Sequence, residues 1–242
     1  MNNTESTVSH WDAYWQQGNL EYINKIVEEI GKTGSIESKK ILEIGAGSGA
    51  TSIKFAQLGA KVICLDYSTK AIQVIRKNLL ASGVTVHCVL ADANALPFRD
   101  GAIDICFHQG FLEHFREVKN LLQEQYRVLK QGGILCADVP QRYSLYSVKK
   151  HILMKMGKWF AGWETEFSIG GLRRVLTEYR FKIQWGYGRF HIRNLDRIQK
   201  RILGKTLLPK WLEKSYYAVV KKLENTPWGT HTAFSIGIIA KK

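Results

Sequence analysis

The chain has 242 residues, 45 % hydrophobic and 23 % charged, which suits one sizeable core and excludes wholesale disorder. No apolar run approaches the roughly 18 residues that a membrane span requires. The net charge of +14 is unevenly placed: residues 1–140 hold 14 Lys and Arg against 15 Asp and Glu, whereas residues 141–242 hold 21 against 6.

The opening stretch MNNTESTVSHWDAYWQQGN is polar and lacks the basic-then-apolar order of a secretion signal, so a cytoplasmic protein is expected. Within it, Trp11, Tyr14 and Trp15 share one side of a helix. They serve either as core packing or as a flap over a site. LEYINKIVEEIG (20–31) has helical spacing. KKILEI (39–44) reads as a buried strand, Ala50 to Leu58 as a helix, and AKVICLD as the next strand. The helix after it is N-capped by Ser68, carries Ile72, Ile75 and Leu79 on its apolar side, and stops at Gly83. VTVHCVLAD and GAIDICFHQ read as strands three and four, Glu117 to Leu129 as an amphipathic helix, and GILCADVP as strand five. SIGGLRRVLTEYR is helical; FKIQWGYGR and HTAFSIGIIAKK are the last strands. Cys64, Cys88, Cys106 and Cys136 lie in or beside these strands without CxxC spacing, so they read as core residues and no metal site is expected. Strands alternating with helices, each nearly continuous in apolar residues, predict a parallel sheet covered on both faces.

Gly45-Ala46-Gly47-Ser48-Gly49 follows a strand and opens a helix, which lets a ligand lie against bare backbone at a helix N-terminus. Two ligands fit these letters. Gly45, Gly47 and Ala50, with Asp66 about twenty residues on, satisfy the dinucleotide fingerprint of an NAD-dependent oxidoreductase. Against that reading, Glu43 puts a carboxylate beside the loop, which suits a cationic amine rather than a pyrophosphate. Asp92, ending strand three, suits an adenine amino group. No stretch after strand five looks like a hydride-acceptor site.

ILEIGAGSG, VICLDYS, LADANALPFRDGAIDICFHQGFLEHF and YRVLKQGGIL together resemble the motifs of class I S-adenosylmethionine-dependent methyltransferases, over about residues 37–140. The nearest subgroup is the broad one that contains ubiquinone- and menaquinone-biosynthesis methyltransferases. The resemblance implies a Rossmann-like, seven-stranded, mostly parallel sheet with its last strand antiparallel, and S-adenosylmethionine as cofactor, with S-adenosylhomocysteine as product. It implies that Glu43, Gly45, Ala46, Gly47 and Gly49 hold the methionine end, and that Asp66 takes the ribose hydroxyls beside Tyr67. Asp92 with the Ala93 backbone would read the adenine, and Gln109 would lie near the amino-acid moiety. A methyl transferred to a hydroxyl or an acidic carbon is helped by a base. His108 and His114 are the leading candidates, with Glu113 and Tyr143 behind them, and structural packing competes as the role of both histidines.

The expected organisation is one domain: a helical flap over 1–36, a cofactor core over 37–140, and basic insertions over 141–163 and 190–228. Both insertions interleave cations with apolar and aromatic residues and would overhang the acceptor pocket. They suit a lid over an acidic or lipid-like small molecule, peripheral contact of residues 141–222 with an anionic membrane or other polyanion, or simply a solvated face. Nucleic acid is disfavoured, because HQGF stands where a nucleobase methyltransferase carries its Asn/Asp-Pro-Pro-Tyr tetrapeptide. The alternatives to small-molecule O- or C-methylation are an RNA or protein methyltransferase, the oxidoreductase, or a non-catalytic binding module.

Overall fold

Each apolar run becomes a strand because both of its faces can be covered, and each amphipathic run becomes a helix that covers one of them. The computed structural model describes residues 7–15, 24–159, 162–189 and 226–242, with positions 215, 218, 219 and 222. It opens with α1 (Val8–Trp15) and α2 (Asn24–Gly31). There follow β1 (Lys40–Ile44), α3 (Ala50–Gln57), β2 (Lys61–Asp66), α4 (Thr69–Ser82), β3 (His87–Leu90) and β4 (Ile103–Gln109). A 3-10 turn at Leu112–His114 leads to α5 (Lys119–Val128), β5 (Leu129–Pro140), α6 (Leu145–Lys155) and α7 (Ile169–Glu178). The last elements are β6 (Lys182–Arg189), α8 (Pro227–Thr232) and β7 (Ser235–Lys241).

The strands form one seven-stranded sheet in the order β3-β2-β1-β4-β5-β7-β6. Pairings from β3 through β5 are parallel, and β7 runs antiparallel between β5 and β6. This is the Rossmann-like architecture that the sequence pattern predicts. One core layer gathers Leu42, Ile44, Cys106, Leu135 and Ile238 under α5 and α7. The other gathers Ile41, Phe107, Cys136 and Ile239 under α2, α3 and α4. Strand order reverses at β1, so a crevice opens between the carboxyl ends of β1 and β4, where sheets of this kind bind ligands.

The α4 boundaries follow the sequence signals. The Ser68 hydroxyl accepts from the Ala71 amide at 3.0 Å, and Gly83 ends the helix at φ 69°. Strand five is longer than its apolar core suggests, starting at Leu129, with an irregularity opposite Ile103–Ile105. The segment 190–225, which carries most of the second basic insertion, lies outside the described residues apart from the isolated positions.

The sheet's far edge depends on Gly237. Its register partner Tyr187 is fully buried and lies across it, so a Cβ at 237 would sit 2.0 Å from the tyrosine ring. The ring cannot swing away without giving up its hydroxyl's 3.2 Å bond to Asp138. Gly237→Ala is therefore expected to cost about 2 kcal/mol of unfolding free energy, read as a lower urea midpoint at an unchanged slope.

Candidate active site

The crevice holds a cavity of about 510 Å³, well inside the range of small-molecule sites. Its floor is the loop after β1, where Gly45, Gly47 and Gly49 take φ of 66°, 53° and 68°. Side chains rarely adopt that conformation. The space that side chains would fill is used: a Cβ at Gly45 would lie 2.6 Å from the Phe111 ring, and one at Gly47 2.2 Å from Trp15. Gly45, Ala46 and Gly47 line the cavity. Gly49 does not; it ends the turn ahead of α3, where a Cβ would press on Ile75 at 3.1 Å.

Three acids from consecutive strand ends meet at this loop. Asp66, at the end of β2, accepts from the Gly47 amide with Oδ2 and from the Ser68 amide with Oδ1, both at 2.9 Å. Burial raises its pKa, opposed by these backbone donors. A carboxylate has about four acceptor sites, so capacity remains for a donor from a ligand. Glu43, in β1, is buried and accepts from the Ser52 hydroxyl at 2.6 Å. Burial pushes its pKa up to about 8, the Ser52 hydrogen bonds opposing and Asp66 adding to the rise. Asp92 follows β3 and accepts from the Asn94 amide at 2.9 Å, which shapes the turn that exposes it to the cavity. The loop behind it is pinned by Arg127, which binds Glu124, Asp100 and the carbonyls of Leu96 and Phe98. Tyr67, Ala93 and Gln109 also line the cavity, and burial pushes the Tyr67 hydroxyl up to about 12.

The two histidines part ways. Register aligns Glu43 with Phe107 and Ile44 with His108, so His108 faces away from the side on which Glu43 and Gln109 open. It is completely buried beside Phe111, neither ring nitrogen has a hydrogen-bond partner among the described residues, and burial pushes its pKa down to about 3. It is not among the residues that line the cavity, whereas the expected role as a base requires contact with the acceptor. His114 does line the cavity, edge-on to Trp11 at 4.7 Å between ring centres. Its Nε2 lies 3.8 Å from the buried Glu113 carboxylate, and burial pushes its pKa down to about 4.

Trp11, Tyr14 and Trp15 of α1 roof the cavity. The sequence gives no hint of what holds them there. Asp12 accepts from the Ser68 hydroxyl at 2.5 Å and from the Lys70 amide at 3.2 Å, so it caps α4 from 56 positions away in sequence. Phe111 and Phe115, also unflagged by the sequence reading, complete an aromatic wall beside His114.

These residues fit a nucleoside with a cationic amine. Buried Glu43 has no cation partner among the described residues, Asp66 is an acceptor, and the left-handed positions of the loop are all glycine. Residues 42–137 match the family model described as a methyltransferase domain. The ubiquinone biosynthesis O-methyltransferase of Cupriavidus pinatubonensis is 35 % identical over 125 residues, 51 % of this chain and 50 % of its own length. The ubiquinone/menaquinone biosynthesis C-methyltransferase of Vibrio cholerae is 34 % identical over 143 residues, 53 % of this chain and 54 % of its own. The chain thus spans about half the length of the curated relatives it matches. A solved structure of magnesium protoporphyrin IX methyltransferase from Synechocystis with bound S-adenosylhomocysteine superposes at a TM-score of 0.59, with 16 % identity over 95 % of this chain and 83 % of the other. Residues 42–137 are thus similar to a methyltransferase domain, and the relatives named here are methyltransferases of ubiquinone and menaquinone biosynthesis.

Two outcomes test the site. Glu43 is protonated below about pH 8, whereas an ammonium ligand needs it ionised, so affinity for S-adenosylhomocysteine should weaken as pH falls from about 8 to about 6. Calorimetry near neutral pH should show a proton released on binding, through enthalpies that depend on the buffer, and Glu43→Gln should abolish that release. Asp12→Ala should weaken binding about tenfold by freeing α1, with faster hydrogen exchange in residues 8–15.

Proposed function

We propose that the protein transfers a methyl group from S-adenosylmethionine to oxygen or carbon of a flat, apolar small molecule. One observation carries this reading: the three-acid nucleoside cradle opens, within the same cavity, onto a wall made of Trp11, Phe111, Phe115 and His114. Such a wall suits an aromatic or lipid-like ring and offers little to a phosphate backbone or a peptide.

Glu43 holds the amine, with Gln109 beside it, and Asp66 takes the ribose hydroxyls. Asp92 and the Ala93 backbone bind the adenine, and Tyr67 packs on it. When bound, S-adenosylmethionine supplies a sulfonium methyl that is already electrophilic, so the protein's share is alignment and exclusion of water. The α1 aromatics close the site from above. His114 stays neutral at physiological pH because its imidazolium would be desolvated. It accepts a hydrogen bond from the acceptor's hydroxyl or acidic C–H and takes the proton as the new bond forms. On the partner side, the basic excess of residues 141–222 supports contact with an anionic surface.

Methyl-labelled S-adenosylmethionine, incubated with the protein and a cell extract, should label products that partition into organic solvent. Label confined to RNA or protein would sink the proposal. With the acceptor so found, His114→Ala should cut turnover about a hundredfold or more while S-adenosylhomocysteine affinity stays within a small factor. His108→Leu should leave turnover near normal and fold at least as stably, since it removes a buried polar group with no partner.

A further inference from the structure

Helix α6 is oriented against expectation for a helix lying on a core. Its buried side carries Lys150, whose ammonium lies 3.4 Å from Glu164 and 3.1 Å from Glu166. Its outward side carries Val148, Ile152 and, at the helix end, Met156, which are 56 %, 54 % and 54 % exposed. At about 100° per residue these three fall within an arc of about 80°, with Lys149 just past one edge and Lys155 just past the other. Both lysines are exposed, as are Arg142 and Lys158, and residues 141–163 contain no Asp or Glu at all.

The stripe and its cations together choose the occupant. RNA would use the lysines and leave the apolar stripe in water. A second copy of the same face would set lysine against lysine. Residues 190–225 hold nine Lys and Arg against three Asp and Glu, so they too are repelled. A bilayer with anionic headgroups accepts both parts, the stripe in its interfacial layer and the ammonium groups among its phosphates.

We propose that α6 docks the protein on anionic lipid bilayers. Glu164 and Glu166 hold Lys150 inward, which fixes the helix's rotation and turns the stripe out. The helix is connected to the cavity wall through the segment that follows it: Glu164 and Glu166 pair with Lys150, and between them the Thr165 amide donates to the Glu113 carbonyl, in the His114 turn, at 2.7 Å. That connection matters for a lipid-like acceptor and so rests on the methyl-transfer reading. Docking itself does not, because vesicle binding and S-adenosylhomocysteine binding are measured separately.

The full-length protein is sedimented with phosphatidylcholine vesicles, with and without phosphatidylglycerol, over a range of salt. Binding is expected only with phosphatidylglycerol and should weaken with salt. The double variant Ile152→Ser/Met156→Ser should bind about tenfold more weakly or worse. Lys149→Gln and Lys155→Gln should each cost about fivefold and flatten the salt dependence. All should keep the parent's melting temperature and affinity for S-adenosylhomocysteine. Three results would overturn the proposal: no vesicle binding by the parent, full binding by the serine variant, or a concentration-dependent dimer that the serine variant abolishes.

Discussion

The carboxylate of Asp66 is the tie on which the site depends. One oxygen holds the Gly47 amide and the other the Ser68 amide, so a single side chain joins the end of β2, the glycine loop and the start of α4. The loop's left-handed backbone has no side chains to pin it, and a strand-end acid supplies what they cannot. Ser68 passes the constraint on, since its hydroxyl caps α4 and donates to Asp12. Roof and floor of the cavity thus share one polar network.

That network is costly, and the cost is informative. Burial raises the pKa of both Glu43 and Asp66, and the nearby Asp66 raises that of Glu43 further. A fold selected for stability alone gains nothing from placing two acids together in low dielectric. A cation brought by a ligand reverses the balance, because the low dielectric that disfavours a lone carboxylate also strengthens its attraction to an ammonium. The surrounding aromatics strengthen this by keeping water away.

What the sequence made legible was local. Strand runs, the glycine burst, the Ser68 cap and the acids at strand ends can each be read within a few residues, and they give the sheet and the cofactor crevice. What it hid depended on register or on long separations. His108 and Gln109 are neighbours, and only the pairing of Ile44 with His108 decides which of them turns toward the crevice. Asp12 finds Ser68 across 56 positions, with no pattern to announce it. Gly49 reads like its neighbouring glycines, yet serves the turn rather than the cavity.

The basic third shows how composition misleads when orientation is missing. Cations interleaved with apolar residues invite the picture of lysines in water and apolar residues on the core. In α6 a pair of acids from the following segment, Glu164 and Glu166, reverses it, drawing Lys150 in and leaving Val148 and Ile152 out. Removing either acid would leave a buried ammonium underpaired, so the rotation of the helix is enforced by the charge that the fold can least tolerate unpaired. An outward apolar stripe needs a reason to persist beside a site walled with aromatic rings. The proposed docking on a bilayer supplies one, because a lipid-dissolved acceptor of the proposed reaction reaches such a site most directly from the surface that holds it.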